Sequence, residues 1–287
     1  MDIITTSAGL KDWSRAVRAR GGRLGLVPTM GALHDGHLSL VARARGECDQ
    51  VVLSIYVNPL QFGPQEDFAR YPRDLKRDAG LARGAGVDVV FAPGDAEIHL
   101  PGHRTWVEVS GMQDVLCGRS RPGHFRGVAT VVLKLLAIAA PAAAYFGEKD
   151  AQQLRIIRRM ARDLHLDCAI VGCPIVREED GLAMSSRNAY LTAEERRAAP
   201  ALHRALEEGA ALARSGESGA GRIVARVRAA LAAEPLARVD YVEAVDDETL
   251  EPVATLSGRV LLAGAAWFGR ARLIDNVVLS APGGLPT

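Results

Sequence analysis

Cysteine is scarce in this 287-residue sequence, and its four copies, Cys48, Cys117, Cys168 and Cys173, lie in or beside apolar runs without CxxC spacing. That pattern speaks against a cysteine-based zinc site or a disulfide framework, and it fits a reducing cytoplasm. Charge of one sign is also missing. A formal net charge of +1 gives no electrostatic handle for nucleic acid, and the arginines at helical spacing, Arg155, Arg158, Arg159 and Arg162, are expected to form a solvated helix face. No stretch is long enough for a membrane span, because the longest apolar run, Val128 to Ala144, is broken by Lys134 and Pro141. The N-terminal residues, Met1 to Thr6, lack the basic region and apolar stretch of a signal peptide. Internal repeats are absent too. So are the dinucleotide fingerprint GxGxxG after the first strand, the P-loop spacing GxxxxGK and the GxSxG nucleophile elbow. No cysteine has obvious activating neighbours, so a covalent enzyme intermediate is not expected.

What is present is an ordinary globular composition, 48% hydrophobic and 24% charged, on a chain long enough for a large domain and a smaller one. Short apolar runs, Leu24 to Val27, Val51 to Val57, Val87 to Ala92, Ala143 to Phe146 and Cys168 to Val176, alternate with helical patterns. One such helix carries Val128, Val131, Val132, Leu135, Leu136 and Ile138. This alternation predicts a Rossmann-like, doubly wound parallel sheet over residues 1–176. After the acidic loop Arg177 to Gly181 the composition shifts. Two alanine-rich helices around residues 192–232, joined by the Gly/Ser stretch at 215–221, and short strands at Val239 to Ala244, Val260 to Ala266 and Leu273 to Leu279 predict a small α+β domain over 177–287.

Four segments carry chemistry. The first strand runs into Pro28-Thr29-Met30-Gly31-Ala32-Leu33-His34-Asp35-Gly36-His37, followed by a helical pattern from Leu40. This places His34 and His37 at a strand-to-helix turn on the carboxyl edge of a parallel sheet, where helix N–H groups and dipole favour phosphate. Gly36 between them lets backbone approach a ligand closely. A turn histidine and a capping histidine would satisfy the same pattern. The two could also ligate zinc, but no third ligand stands at a recognisable spacing. The spacing HxGH is that of the nucleotidyltransferase superfamily. Gly147-Glu148-Lys149-Asp150, with Gln152 and Gln153 behind it, follows another strand. Here Lys149 suits phosphate oxygens, Asp150 a ribose hydroxyl and Gln153 a substrate carboxylate or hydroxyl, and an acidic helix start is the plain alternative. Met184-Ser185-Ser186-Arg187-Asn188 offers hydroxyls and a guanidinium for a leaving pyrophosphate, or simply a serine cap. Asn58-Pro59-Leu60-Gln61-Phe62 leaves the second strand with two amides beside an aromatic, suited to a small polar organic molecule, or forms an Asn-Pro turn.

Together the segments PTMGALHDGH, VNPLQFG, RPGHFRGVAT, FGEKDAQQL and DGLAMSSRNAYL, in this order, resemble the pantothenate synthetase family, and the likeness extends from about residue 3 to the Ala-Arg-Leu-Ile-Asp-Asn segment at 271–276. The resemblance implies a cytoplasmic homodimer that condenses (R)-pantoate with β-alanine through a pantoyl adenylate, releasing AMP and pyrophosphate on the route to coenzyme A. ATP would bring magnesium. Carried over by position, Met30, Gly31, Ala32, Leu33, His34, Asp35, Gly36 and His37 would hold ATP, with Gly147, Glu148, Lys149, Asp150, Val176, Met184, Ser185, Ser186 and Arg187. His37, His34 and Lys149 would be catalytic, His37 as the proton donor. Gln61 and Gln153 would contact substrate, with Asn58 and Arg121 beside them, and Asp78 is a candidate for the magnesium. The smaller domain would act as a lid carrying Met184 to Asn188, the counterpart of a KMSKS loop with Arg187 as its single cation. The rival readings are an enzyme that leaves the nucleotide on its product, and a sensor that binds ATP without turnover.

Overall fold

The computed structural model describes residues 1–64 and 66–280, and the chain divides into two compact units. The first comprises Met1–Gln113, Gly118–Glu148 and Ile156–Pro174; the second comprises Asp114–Cys117, Lys149–Arg155 and the chain from Ile175 onward.

Up to residue 174 the elements are β1 (Asp2–Ile4), α1 (Ser7–Ala19), β2 (Leu24–Thr29), α2 (Asp35–Glu47), β3 (Gln50–Ile55), α3 (Leu75–Gly84), β4 (Val89–Phe91), α4 (Asp95–Ile98), α5 (Cys117–Ser120), α6 (His124–Ala139), β5 (Ala143–Gly147), α7 (Ala151–Asp163) and β6 (Ala169–Cys173). Their six strands form one parallel sheet in the order β1-β4-β3-β2-β5-β6. The doubly wound sheet expected from the alternation of apolar runs and helices is therefore present. β2 pairs with β3 from Leu24↔Gln50 to Thr29↔Ile55 and, on its other side, with β5 at Gly25↔Ala143 and Leu26↔Ala144. A strand with neighbours on both edges and helices over its faces must be apolar throughout, which is why Leu24, Leu26 and Val27 form an unbroken buried run. α2 lays Leu40, Val41 and Ala44 on Val27, Val51, Leu53 and Tyr145, each large apolar side chain contributing about 1.5–3 kcal/mol by leaving water.

From β2 the chain winds outward through β3 and β4, then returns to the other side of β2 at β5. The carboxyl ends of β2 and β5 thus flank the topological switch point, where sheets of this kind bind ligands. The run Val128 to Ala144 is, as expected, a buried helix leading into a strand, α6 ending at Ala140 in the left-handed conformation before Pro141. α6 also crosses close to the turn after β3. A Cβ added to Gly127 would run into the carbonyl oxygen of Leu60. Gly127→Ala is therefore expected to destabilise the first unit by about 1–3 kcal/mol, read from the urea midpoint.

The second unit holds α8 (Ala193–Ala198), α9 (Ala201–Arg214), α10 (Ala220–Ala232) and an antiparallel sheet β7-β8-β9 (Ala237–Asp246, Arg259–Phe268, Ala271–Ser280). Leu202, Leu206, Ile223, Val227 and Leu231 from α9 and α10 close over Leu262 and Phe268 of β8 in a core of their own. Residues 192–232 contain three helices where two are expected: Thr192 and Glu195 make a reciprocal capping box that opens α8, and α8 stops before Pro200. The short edge strand β1 has no counterpart among the expected strands. Of the four arginines expected on a solvated face, Arg158, Arg159 and Arg162 are exposed, but Arg155 is buried and pairs with the Asp247 carboxylate and carbonyl. Periodicity gave Arg155 the right helix and the wrong face.

Candidate active site

The turn after β2 begins where Thr29 donates its hydroxyl to the Ser54 carbonyl and accepts from the Gly31 N–H. Gly31 (φ +83°) and Ala32 (φ +50°) both take the left-handed conformation. For Ala32 that costs about 1–2 kcal/mol, so something must hold it. The holder is Asp78 in α3, whose carboxylate accepts from the N–H groups of Ala32 (2.8 Å) and Leu33 (2.9 Å) and from Arg77 Nη1 (3.2 Å). Gly31 is required here, since a Cβ would stand 2.9 Å from the carboxylate. Asp78 is 1% exposed, and the hydrogen bonds it accepts hold this turn.

The chain then enters α2 with His34 as the residue before its first turn and His37 within it. The rings lie 4.0 Å apart, centroid to centroid, tilted by 38°. The His34 N–H donates to His37 Nδ1 at 3.4 Å, which places the proton of a neutral His37 on Nε2. Two imidazoles at a helix N-terminus on the switch-point edge have the chemistry to accept an anion, with ring donors added to the dipole and the first-turn N–H groups.

The turn after β3 is built around Asn58, which is 1% exposed. Its Oδ1 accepts from the Leu60 N–H (3.3 Å) and faces His99 Nε2 (2.9 Å), while its Nδ2 donates to the Gly127 carbonyl (3.1 Å) and to Gln61 Oε1 (3.2 Å). Two donors and two lone pairs are then all engaged within the protein, so Asn58, expected among the substrate contacts, supports the Gln61 side chain. Gln61 turns its Nε2 toward Met30 Sδ at 3.0 Å, bringing the β3 turn beside the β2 turn.

Arg121 serves the same turn. Its guanidinium grips Glu66 through Nε (2.7 Å) and Nη2 (2.6 Å), reaches the Gln61 carbonyl (3.3 Å), and donates through Nη1 to His124 Nε2 (2.9 Å). His124 Nδ1 must then carry the proton it shares with the Gln61 carbonyl at 2.7 Å. The Arg121 pair holds the Glu66 carboxyl below its usual range despite burial, which works against ionisation. These contacts make Arg121 an anchor for the Gln61 backbone.

In the second unit, Val176 and Met184 meet at the base of a narrow hairpin, where the Met184 N–H donates to the Val176 carbonyl (3.0 Å) beside the bridge Arg177↔Ala183. Arg177 fixes that hairpin by a two-pronged pair with the buried Asp275 (2.6 and 3.0 Å). Ser185 then caps a short 3-10 turn, Ser186–Tyr190, by accepting from the Arg187 N–H (3.2 Å), and Asn188 donates to the Ala183 carbonyl. Lys149 stands 3.7 Å from Asp150, and its carbonyl accepts from Asn276 Nδ2. Gln152 is buried, bonded to the Cys117 N–H and the Val115 carbonyl, whereas Gln153 is half-buried. The hairpin thus joins Val176 to the Met184–Arg187 segment, and the first unit joins Met30–His37 to Gln61. His99 and Lys134 are absent from the sequence expectations. A lysine alone in the apolar run of α6 was the available signal.

A sequence profile of the family described as pantoate-beta-alanine ligase matches residues 2–278. A pantothenate synthetase of Moorella thermoacetica is 55% identical over 279 residues, covering 97% of this chain and 99% of that protein. Among solved structures, the pantothenate synthetase of Thermus thermophilus superposes with a TM-score of 0.91 at 50% identity, over 96% of this chain and 99% of that one. The pantoate-beta-alanine ligase of Francisella tularensis, solved with β,γ-ATP and β-alanine, gives 0.80 at 33% identity over 97% of each chain. With this agreement along its whole length, added to histidines and an oriented glutamine at the switch-point edge, the chain belongs to the pantoate–β-alanine ligase family, the pantothenate synthetases.

Proposed function

We propose that this enzyme condenses (R)-pantoate with β-alanine at the expense of ATP. A pantoate carboxylate oxygen attacks the α-phosphorus, the bond to the bridging oxygen breaks and pyrophosphate leaves. The β-alanine amine then attacks the acyl carbon, AMP leaves, and the amine loses a proton to give pantothenate. The observation that carries this reading is the pairing, within one unit, of a helix-start turn bearing two histidines with the Gln61 amide, one suited to phosphate and the other to an organic acid.

His34 and His37 would hold the phosphates, with Met30 to Leu33 and Gly36 as backbone contacts and His37 Nε2–H donating to developing charge. Gln61 would hold pantoate and β-alanine, and Gln153 pantoate. By family likeness, Gly147 to Asp150, Val176 and Met184 to Arg187 complete the ATP contacts, Lys149 neutralising pyrophosphate with Arg187. Catalysis then rests on placing two anions together and neutralising them. Magnesium would enter on the nucleotide. Among the described residues no three His, Cys, Asp or Glu side chains gather into a cage, and a cation ligated by phosphates and water needs none.

The test is AMP release with ATP, pantoate and β-alanine, together with pantoate-dependent exchange of pyrophosphate into ATP when β-alanine is left out. Exchange is expected. Its absence, or a product that retains the nucleotide, would overturn the assignment. No described helix is long and apolar enough to cross a membrane. We assign the enzyme to the cytoplasm as a homodimer on family likeness, the dimer to be read by light scattering at micromolar concentration.

A further inference from the structure

We propose that Lys134 and His99 are positioning residues for this reaction, acting through Asn58 to hold Gln61 with its amide N–H groups, and not its carbonyl, toward the substrate. The inference rests on the reading that Gln61 contacts pantoate.

The argument is one of forced hydrogen-bond polarity. Backbone partners settle the Asn58 amide first: the Leu60 N–H can only donate, so the atom facing it is Oδ1, and the Gly127 carbonyl can only accept, so the atom facing it is Nδ2. Oδ1 therefore requires a donor from His99, which puts the imidazole proton on Nε2. Nδ1 of the same ring must then accept, and Lys134 Nζ supplies the donor at 3.0 Å while also donating to the Ile98 carbonyl at 2.8 Å. Burial first, and then the Lys134 ammonium and His103, push the His99 imidazolium down to about 4, so the ring is neutral under ordinary conditions. At the other end Asn58 Nδ2 requires an acceptor, which makes the facing atom of Gln61 Oε1. Gln61 Nε2 is left directed at the Met30 thioether, a weak acceptor that an oxygen of an organic acid can replace. An amide free to turn would present its carbonyl half of the time, and a carbonyl repels a carboxylate. The lysine, 35 positions from His99, thus sets the polarity of the glutamine.

The test compares steady-state kinetics, by AMP release, for the whole enzyme and for Q61E, H99L, H99Q and K134M, with thermal melts on each. H99L and K134M are expected to raise KM for pantoate about tenfold, the cost of roughly one hydrogen bond, and to leave KM for ATP within about twofold. H99Q, whose amide can accept from Lys134 and donate to Asn58, is expected to restore most of the affinity. Equal loss in H99L and H99Q, or equal rises in both KM values, would reduce the pair to a structural role and overturn the proposal. If Q61E raises KM for pantoate while H99L and K134M do not, the relay fails and the role of Gln61 stands. If Q61E itself leaves KM for pantoate unchanged, the reading of Gln61 fails first. Should H99L not fold, K134M and H99Q decide the question from the other end of the chain of bonds.

Discussion

His37→Ala is expected to lower kcat for adenylate formation by about 100-fold or more, the usual contribution of a positioned proton donor, with a much smaller effect on KM for ATP. The split follows from the geometry. Alanine in the first turn of α2 leaves the helix N–H groups, the dipole and His34 in place, and in the proposed site these would hold phosphate in the ground state. What disappears is the Nε2–H of His37, whose orientation is fixed because Nδ1 accepts from the His34 backbone. A donor aimed at charge that develops only as pyrophosphate departs acts on kcat more than on binding. Pantoate-dependent exchange of pyrophosphate into ATP isolates this step from amide formation, and near-normal exchange would remove His37 from the mechanism.

The second large effect is expected at Asp78. Asp78→Asn keeps the volume but exchanges one acceptor oxygen for an N–H₂ that must face the N–H of Ala32 or Leu33. A buried donor opposed to a donor costs about 1–3 kcal/mol, and losing the charge weakens the bond that remains. Arg77 also loses its partner, though it is more than half exposed and adds little. Because the left-handed Gly31 and Ala32 are held by this carboxylate, the turn should relax and carry His34 and His37 with it. Turnover is expected to fall at least tenfold and the urea midpoint of the first unit to drop together. A loss of activity that vanishes at saturating magnesium, with unchanged stability, would instead return Asp78 to the metal.

The contrast between Asp78 and His37 shows what a sequence yields. His34, His37 and the strands beside them were legible because local pattern determines them: an apolar run, a glycine-bearing turn and a helical period fall within one short segment. The contacts of Asp78, Asn58 and Arg121 within the protein were not, because each depends on where a side chain points across a gap in the chain. Asp78 is 46 positions from Ala32, and Arg121 is 55 from Glu66. Motif position left open in all three cases whether the group faces ligand or protein. Arg155 failed for the same reason, since an arginine at helical spacing can point to water or to a buried carboxylate. β1 escaped notice because three residues are too few to show a period.

The core under α2 lies in one unit and the core under α9 and α10 in the other, which carries a consequence for measuring any of these variants. Trp13 and Trp106 lie in the first unit and Trp267 in β8 of the second. Fluorescence thus carries an indicator for each half of the chain. A substitution at Asp78 or Gly127 should shift the signal of Trp13 and Trp106 to lower denaturant, and comparison with the signal of Trp267 reads how far the second unit follows.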